Sequence, residues 1–120
     1  MNNSSSPPDR LALIIGMAKK AGAIAAGTEM VVDAVRRGKA CAVITASDIS
    51  AATRKKLADK CKSYGVPIMI SDLDMDRLSN AIGVLRKTSA VALTNRSFLP
   101  AFEKAGAMFT ASKTDQSENN

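Results

Sequence analysis

The residues best suited to bind a polyanion lie in the stretch 27–39. Gly27 supplies a turn, Thr28 can cap a helix, and a basic segment that includes Arg36 and Gly38 closes the helix. The first N–H groups of a helix have no partner within it, and the positive end of the dipole strengthens their attraction for phosphate oxygens. The sequence therefore predicts a phosphate-binding helix start at Thr28.

The ligand that this helix start can recognise depends on Glu29, Met30 and Asp33. None of them is a cation that would attract phosphate. Glu29 and Asp33 lie one turn apart, and two carboxylates alone would leave a metal ion under-ligated. A carboxylate in the first turn of a helix instead complements the helix dipole. Arg36 and its basic neighbours can satisfy the other end of the dipole and pair with Asp33 at helical spacing. We therefore expect no metal and no cofactor.

Helical and strand patterns alternate along the chain. Helices are predicted from the serine-proline start at Ser6 to Gly22, over 28–37, from a Ser50 cap to Gly65, from Asp72 or Asp74 to Gly83, and around Phe98–Phe102. Short apolar runs predict strands over 23–26, 41–46, 67–70 and 90–93. The inward-facing residues are predicted to include Leu11, Ile14, Ile15, Ala18, Val31, Ala34, Val35, Leu57, Cys61, Tyr64, Met75, Leu78 and Ile82.

This alternation favours an α/β fold in which helices cover both faces of a sheet, a three-layer α/β/α sandwich. The length of 120 residues fits one domain. We expect that domain to span residues 9–110, with disordered tails at 1–8 and 111–120 that are rich in polar residues.

The net charge of +6 and the pI of about 9.6 favour a polyanionic partner over a merely soluble basic protein. Between residues 9 and 65 there are eleven Lys or Arg against five Asp or Glu, so most of the excess lies in the first half. Aromatic residues make up only 3% of the chain, too few for base stacking. Recognition of shape and phosphate would then dominate.

Catalysis and membrane insertion are not expected. The chain has no histidine, residues 16–20 are not a P-loop, and Cys41 and Cys61 have no neighbouring base. Both cysteines fit core positions in a reducing cytoplasm. The apolar run over 11–18 is too short to span a bilayer, and no signal peptide is visible.

The ordered series of segments resembles the L7Ae/L30e ribosomal protein family, and within it the small bacterial YlxQ-type branch. The resemblance rests on Gly-Met-Ala-Lys-Lys-Ala-Gly at 16–22, Gly27-Thr28 with the helix to Gly38-Lys39, Ala-Ser-Asp at 46–48, the passage from Lys60-Cys61 to Val66-Pro67, and Ala-Val-Ala-Leu-Thr at 90–94. It covers roughly residues 9–106. The resemblance implies a four-stranded mixed sheet between helices.

For many members the resemblance also implies binding to kink-turns, which are sharply bent RNA duplexes with tandem sheared G·A pairs. In those members the second helix opens with a Gly-x-Asn-Glu-x-x-Lys pattern that reads guanine edges. In this sequence Gly27 and Thr28 match, whereas Glu29, Met30 and Asp33 stand where asparagine, glutamate and lysine are typical. Each lost base-edge contact costs about 1–3 kcal/mol, so the departures bear directly on kink-turn discrimination.

The family's hydrophobic loop before the last strand corresponds to residues 84–87. Its apolar and basic side chains could contact bulged nucleotides and backbone, or the loop could be a plain connection with solvated charges. The same two alternatives apply to the lysines before Gly22. The candidate RNA-binding residues are therefore Lys19, Lys20, Gly27, Thr28, Glu29, Met30, Asp33, Arg36, Val84, Leu85, Arg86 and Lys87.

Two functions follow from these expectations. The first is a monomeric, non-catalytic, cytoplasmic protein that binds structured RNA, ribosomal or another non-coding RNA, with kink-turns as one candidate. The second is a protein-interaction module on the same fold that has lost kink-turn binding, because Met30 and the two acids could suit a protein surface. Steep weakening of binding with salt would distinguish RNA from an apolar protein partner.

Overall fold

The computed structural model describes residues 7–110. The helices are α1 (Pro7–Lys20), α2 (Thr28–Arg36), α3 (Ala51–Tyr64), α4 (Met75–Ile82) and α5 (Leu99–Lys104), with a short 3-10 helix at Arg96–Phe98. The strands are β1 (Ile24–Ala26), β2 (Ala42–Thr45), β3 (Ile68–Ile70) and β4 (Ala90–Leu93). The predicted order of helices and strands is confirmed.

Local signals in the sequence fix where α3 and α4 begin and end. The Ser50 hydroxyl accepts the Thr53 N–H, and Asp74, rather than Asp72, accepts the Arg77 N–H at 2.8 Å. Each of these bonds satisfies one of the N–H groups left free at a helix start. Gly65 and Gly83 end the two helices in the left-handed conformation that glycine adopts without steric cost.

The four strands form one mixed sheet in the order β1-β4-β2-β3. β4 runs antiparallel to both β1 and β2, while β2 and β3 are parallel. β1 and β2 therefore point the same way, and the carboxyl ends of β1 and β2 lie at the sheet end where β4 begins. The four-stranded mixed sheet implied by the family resemblance is confirmed.

Helices cover both faces of the sheet, as expected for an α/β/α sandwich. α2 contacts α3 on one face, and α1 contacts α4 and α5 on the other. Every residue of the central strands β2 and β4 is buried. The largest fully buried side chains come from all layers and include Ile15, Ile44, Leu57, Leu78, Leu93 and Phe102.

Several details differ from the sequence-based expectations. Tyr64 was expected to face inward, but it is 50% exposed because it lies in the last turn of α3, beyond Leu57 and Cys61, the residues that pack on the core. α1 begins at Pro7, two residues before the expected domain boundary. The cap at Ser6 and the tail residues 1–6 and 111–120 lie outside the described residues.

Both cysteines are free thiols. Cys61 is buried as expected, and burial raises the pKa of its thiol to about 11. Cys41 is half-buried, and its Sγ donates to the Leu93 carbonyl oxygen at 3.2 Å. Burial also raises the pKa of the Cys41 thiol, against the opposing charge of Arg96. Protonated thiols of this kind are poor nucleophiles.

Candidate functional site

The start of α2 and the segment that precedes β4 face each other across one cleft of about 430 Å³. The two segments are some sixty residues apart in the chain, and the sheet brings them together because β4 begins where β1 ends. The cleft is lined by Ala26, Gly27, Thr28, Glu29, Met30, Met75, Val84, Arg86, Lys87, Thr88 and Ser89.

Two hydrogen bonds join the walls of the cleft. The Gly27 N–H donates to the Ala90 carbonyl oxygen at 2.9 Å, and the hydroxyls of Thr28 and Ser89 share a hydrogen bond of 2.6 Å. Gly27 adopts a φ of 94°, which residues with a side chain rarely adopt. This backbone conformation turns the chain from β1 into α2 and fixes where the helix starts.

Thr28 does not cap α2, contrary to the expectation from sequence. It is the first helical residue rather than the residue before the helix, and its hydroxyl is bonded to Ser89 instead. Across residues 7–110, no side chain caps this helix. The N–H groups of the first turn therefore have no capping side chain, and the positive end of the helix dipole lies at the cleft that these residues line.

The cleft combines apolar side chains with cations. Met30 is 58% exposed, and Val84 and Met75 are half-buried opposite the helix start. Arg86 and Lys87 are exposed at the rim. Leu85 is fully exposed beside the cleft but does not line it. Such a surface can pack against an unstacked base while its cations contact phosphates.

Both acids near the start of α2 are ion-paired. Glu29 Oε2 lies 3.3 Å from the Nζ of Lys56 on α3. The Asp33 carboxylate is 3.1 Å from both Arg36 Nη2 and Arg37 Nε. The hydrogen bond from Arg37 is the main reason that the pKa of Asp33 is lowered, with Arg36 adding to it. The negative charges therefore oppose a polyanion less than their positions in the sequence suggest.

Some predicted site residues lie elsewhere. Lys20 lines a separate groove of about 670 Å³ between α1 and α4, and Lys19 precedes it in the same helical turn. Asp33 and Arg36 are one and two turns along α2 from the cleft, and Arg36 is about 12 Å from Thr28 at the rise of an α-helix. The structure thus gathers seven of the twelve candidates in the cleft: Gly27, Thr28, Glu29, Met30, Val84, Arg86 and Lys87.

The candidate residues predicted from sequence did not include Ala26, Met75, Thr88 and Ser89, which line the cleft. Lys56, which lies beside it, was recognised only as part of a basic helix face over 54–62, for which contact with solvent was favoured over contact with RNA. The pair of hydroxyl residues directly before the strand 90–93 was a usable signal for Thr88 and Ser89. No local pattern places Met75 or Lys56 at the cleft, since each reaches it from a helix other than α2.

Residues 7–110 contain no group of three or more side chains placed to hold a metal ion. None of the helices in that range has the length and apolar character needed to cross a membrane.

Comparison with curated proteins finds similarity to two bacterial relatives. The chain is 35% identical over 54 residues to the RNA-binding protein YlxQ of Bacillus subtilis (strain 168), covering 45% of this chain and 54% of the relative. It is 41% identical over 54 residues to the RNA-binding protein YlxQ of Enterococcus faecium, covering 45% and 52%. The matched region thus spans about half the length of each relative.

Solved structures resemble the fold over a longer range. A protein with unknown function from Bacillus halodurans C superimposes with a TM-score of 0.72 at 30% identity, covering 79% of this chain and 94% of that chain. The Giardia lamblia 15.5kD RNA binding protein gives a TM-score of 0.69 at 20% identity, covering 86% and 87%, and shows likeness of fold. The model of the ribosomal protein L7Ae/L30e/S12e/Gadd45 family matches residues 9–102, well over half of the chain, and the protein therefore belongs to that family.

Proposed function

We propose that this protein is a non-catalytic RNA-binding protein that binds structured RNA in the cleft between the start of α2 and residues 84–89. One observation carries the proposal: two segments distant in sequence, each expected to contact RNA, line the same cleft. The names of the YlxQ relatives, which are called RNA-binding proteins, support the same function.

The contents of the cleft support two kinds of RNA contact, and both walls contribute to each. The N–H groups at the start of α2 and the side chains of Arg86 and Lys87 are suited to phosphate oxygens. Met30, Met75 and Val84 form an apolar surface against which an extruded base can pack. The hydrogen bond between Thr28 and Ser89 holds the walls at a fixed separation before RNA arrives, which lowers the entropic cost of binding.

The preferred RNA is sharply bent, with a kink-turn as the reference case. Met30 has no strong acceptor for a guanine N–H, so base-edge discrimination at that position is weak. Pairing of Glu29 with Lys56, and of Asp33 with two arginines, reduces repulsion of the backbone. We therefore propose that shape and phosphate position contribute more to selectivity than base edges, and that the partner is a ribosomal or other non-coding RNA.

We further propose that the protein acts as a monomer in the cytoplasm, within or beside a ribonucleoprotein. A second function, docking of another protein, is favoured by a specific observation: Met30 and Leu85 are both exposed near the cleft. Apolar side chains exposed near each other can form the kind of patch that marks a protein interface.

A binding titration tests the proposal. Wild-type protein is titrated against a kink-turn RNA and a matched unkinked duplex, each at low and physiological salt. We expect tighter, salt-sensitive binding of the kink-turn. The double variant Arg86→Ala/Lys87→Ala should weaken binding and lower the salt slope by about 2, one per phosphate contact.

Lys104→Ala is the control, because Lys104 is an exposed cation on α5, outside the cleft. It should leave affinity nearly unchanged. Equal, weak binding of both RNAs would contradict recognition of a bend. Absence of binding to either RNA at low salt would contradict the RNA function and favour a protein partner.

A further inference from the structure

Three cations lie along the line where α2 and α3 contact each other. Lys56 and Lys60 are four residues apart and so share one side of α3. Glu29 and Arg36 are seven residues apart and share one side of α2. The ion pair between Lys56 and Glu29 shows that these two sides face each other. We call Arg36, Lys56 and Lys60 the basic seam.

The basic seam begins at the cleft and leads away from it. α2 follows β1 and α3 follows β2, and because these strands point the same way, both helices start at the same end of the sheet. Glu29 lines the cleft, so its partner Lys56 stands at the cleft rim. Lys60 is about 6 Å farther along α3, and Arg36 is about 10 Å beyond Glu29 along α2.

The charge of this surface exceeds what its ion pairs neutralise. α3 carries five basic side chains and one acidic side chain. Asp59 pairs with Lys55, Glu29 pairs with Lys56, and Asp33 is shared by two arginines. Within residues 7–110, Lys60 has no ion pair although it is half-buried. A lysine of this burial can pack its aliphatic stem on the protein and keep its ammonium group in solvent.

We propose that a stem of the bound RNA continues from the cleft along the basic seam, where its phosphates contact Lys56, Lys60 and Arg36. This inference rests on the proposed RNA function of the cleft. Flexible cations spaced along a line contact the backbone rather than base edges, so the seam adds affinity without adding sequence preference. It also sets the direction in which the stem leaves the cleft.

A charge reversal with a control on the same helix tests the seam. Lys60→Glu changes the seam, whereas Lys62→Glu makes the same charge change about 200° around α3, on the side away from α2. Lys60→Gln removes the charge while keeping a long polar side chain, and thermal unfolding of all three variants checks the fold. The probes are a short kink-turn RNA and two versions with one stem or the other extended by one helical turn.

We expect the wild-type protein to bind one of the extended RNAs more tightly than the short RNA. Lys60→Glu should lose about tenfold in affinity for that extended RNA, because the reversal changes one surface contact by two charge units, and should change by less than about twofold for the short one. Its salt slope on the extended RNA should fall by about 1–2. Lys60→Gln should lose less affinity for the extended RNA than Lys60→Glu does. Lys62→Glu should still bind the extended RNA more tightly than the short RNA.

Equal affinity of the wild-type protein for short and extended RNAs would contradict contact between the RNA stem and the basic seam, while leaving RNA binding in the cleft intact. Equal losses in Lys60→Glu and Lys62→Glu would do the same, since net charge rather than position would then explain the effect. Failure of the wild-type protein to bind any of the RNAs would overturn the cleft function, and the seam with it.

Discussion

Gly16 sits inside α1, where glycine is a poor helix former, and its replacement by alanine should nevertheless destabilise the protein. A Cβ at this position would lie 2.8 Å from the carbonyl oxygen of Ala81 in α4, whereas ordinary van der Waals contacts begin at 3.4 Å. The obstacle is backbone, so relief requires α1 and α4 to separate. α4 leads through Gly83 into the segment that lines the cleft, so the same contact helps to position the site.

The two opposing effects of Gly16→Ala can be compared in magnitude. Alanine is favoured over glycine in a helix interior by about 1 kcal/mol. Overpacking of a tight contact costs about 1–3 kcal/mol. The packing cost should exceed the gain in helix propensity and leave a net loss of about 1 kcal/mol in the free energy of unfolding. For a domain of this size, that loss lowers Tm by roughly 4–8 °C.

Urea unfolding followed by circular dichroism measures this difference. The matched control is Ala58→Gly, an exposed position inside α3, which should lose about 1 kcal/mol and so calibrate helix propensity in this protein. If Gly16→Ala instead gained the amount that Ala58→Gly loses, the close approach of α1 to α4 at Ala81 would be refuted.

Three further predictions follow from contacts elsewhere in the fold. A double-mutant cycle of Thr28→Val and Ser89→Ala should give a coupling of about 0.5–1.5 kcal/mol in the free energy of unfolding, because the two hydroxyls share a hydrogen bond between the cleft walls. Thr45→Val should raise the free energy of unfolding by about 1 kcal/mol, since Thr45 Oγ1 is buried without a hydrogen-bond partner in the described structure and valine has nearly the same shape. Asp33→Asn should lower Tm at neutral pH. The difference from wild type should begin to shrink near pH 3.8 and disappear only when the pH falls through the pKa of folded Asp33, which the two arginines hold below that value, because the stabilisation is lost when the folded carboxylate is protonated.

Each of these predictions has a contradicting result. Additive effects in the cycle would mean that the two hydroxyls do not couple the walls. A loss of stability in Thr45→Val would mean that the hydroxyl has a partner, such as a bound water molecule. A Tm difference for Asp33→Asn that stayed constant as the pH fell from neutral to well below 3.8 would assign its origin to something other than the two arginine pairs.

The sequence predicted those parts of the fold that depend on neighbouring residues. Ser50, Asp74, Gly65 and Gly83 act within one turn of the helix ends that they define, so their effect can be recognised locally. Tyr64 shows the limit of periodicity. Helical spacing aligns it with Leu57 and Cys61, but spacing does not tell where the sheet beneath α3 ends.

The sequence identified the segments that form the candidate site, but it did not show that they meet in one cleft. The start of α2 and residues 84–87 were both identified, yet their separation in the sequence hid the bond between Thr28 and Ser89. The ion pair of Glu29 with Lys56 also joins elements that are distant in the sequence. From the sequence alone, Glu29 was therefore expected to repel RNA phosphates more strongly than it does in the fold. Lys20 was predicted to belong to the site but does not, since it lines the groove between α1 and α4 instead.

The most direct test of RNA binding in the cleft is an NMR titration of the backbone amides with a kink-turn RNA. We expect the largest shift changes at Gly27, Thr28 and Ser89, which line the cleft, and no change at Gly106, beyond α5. Largest changes at Met17 and Lys20, in the groove between α1 and α4, would place the RNA there and contradict binding in the cleft.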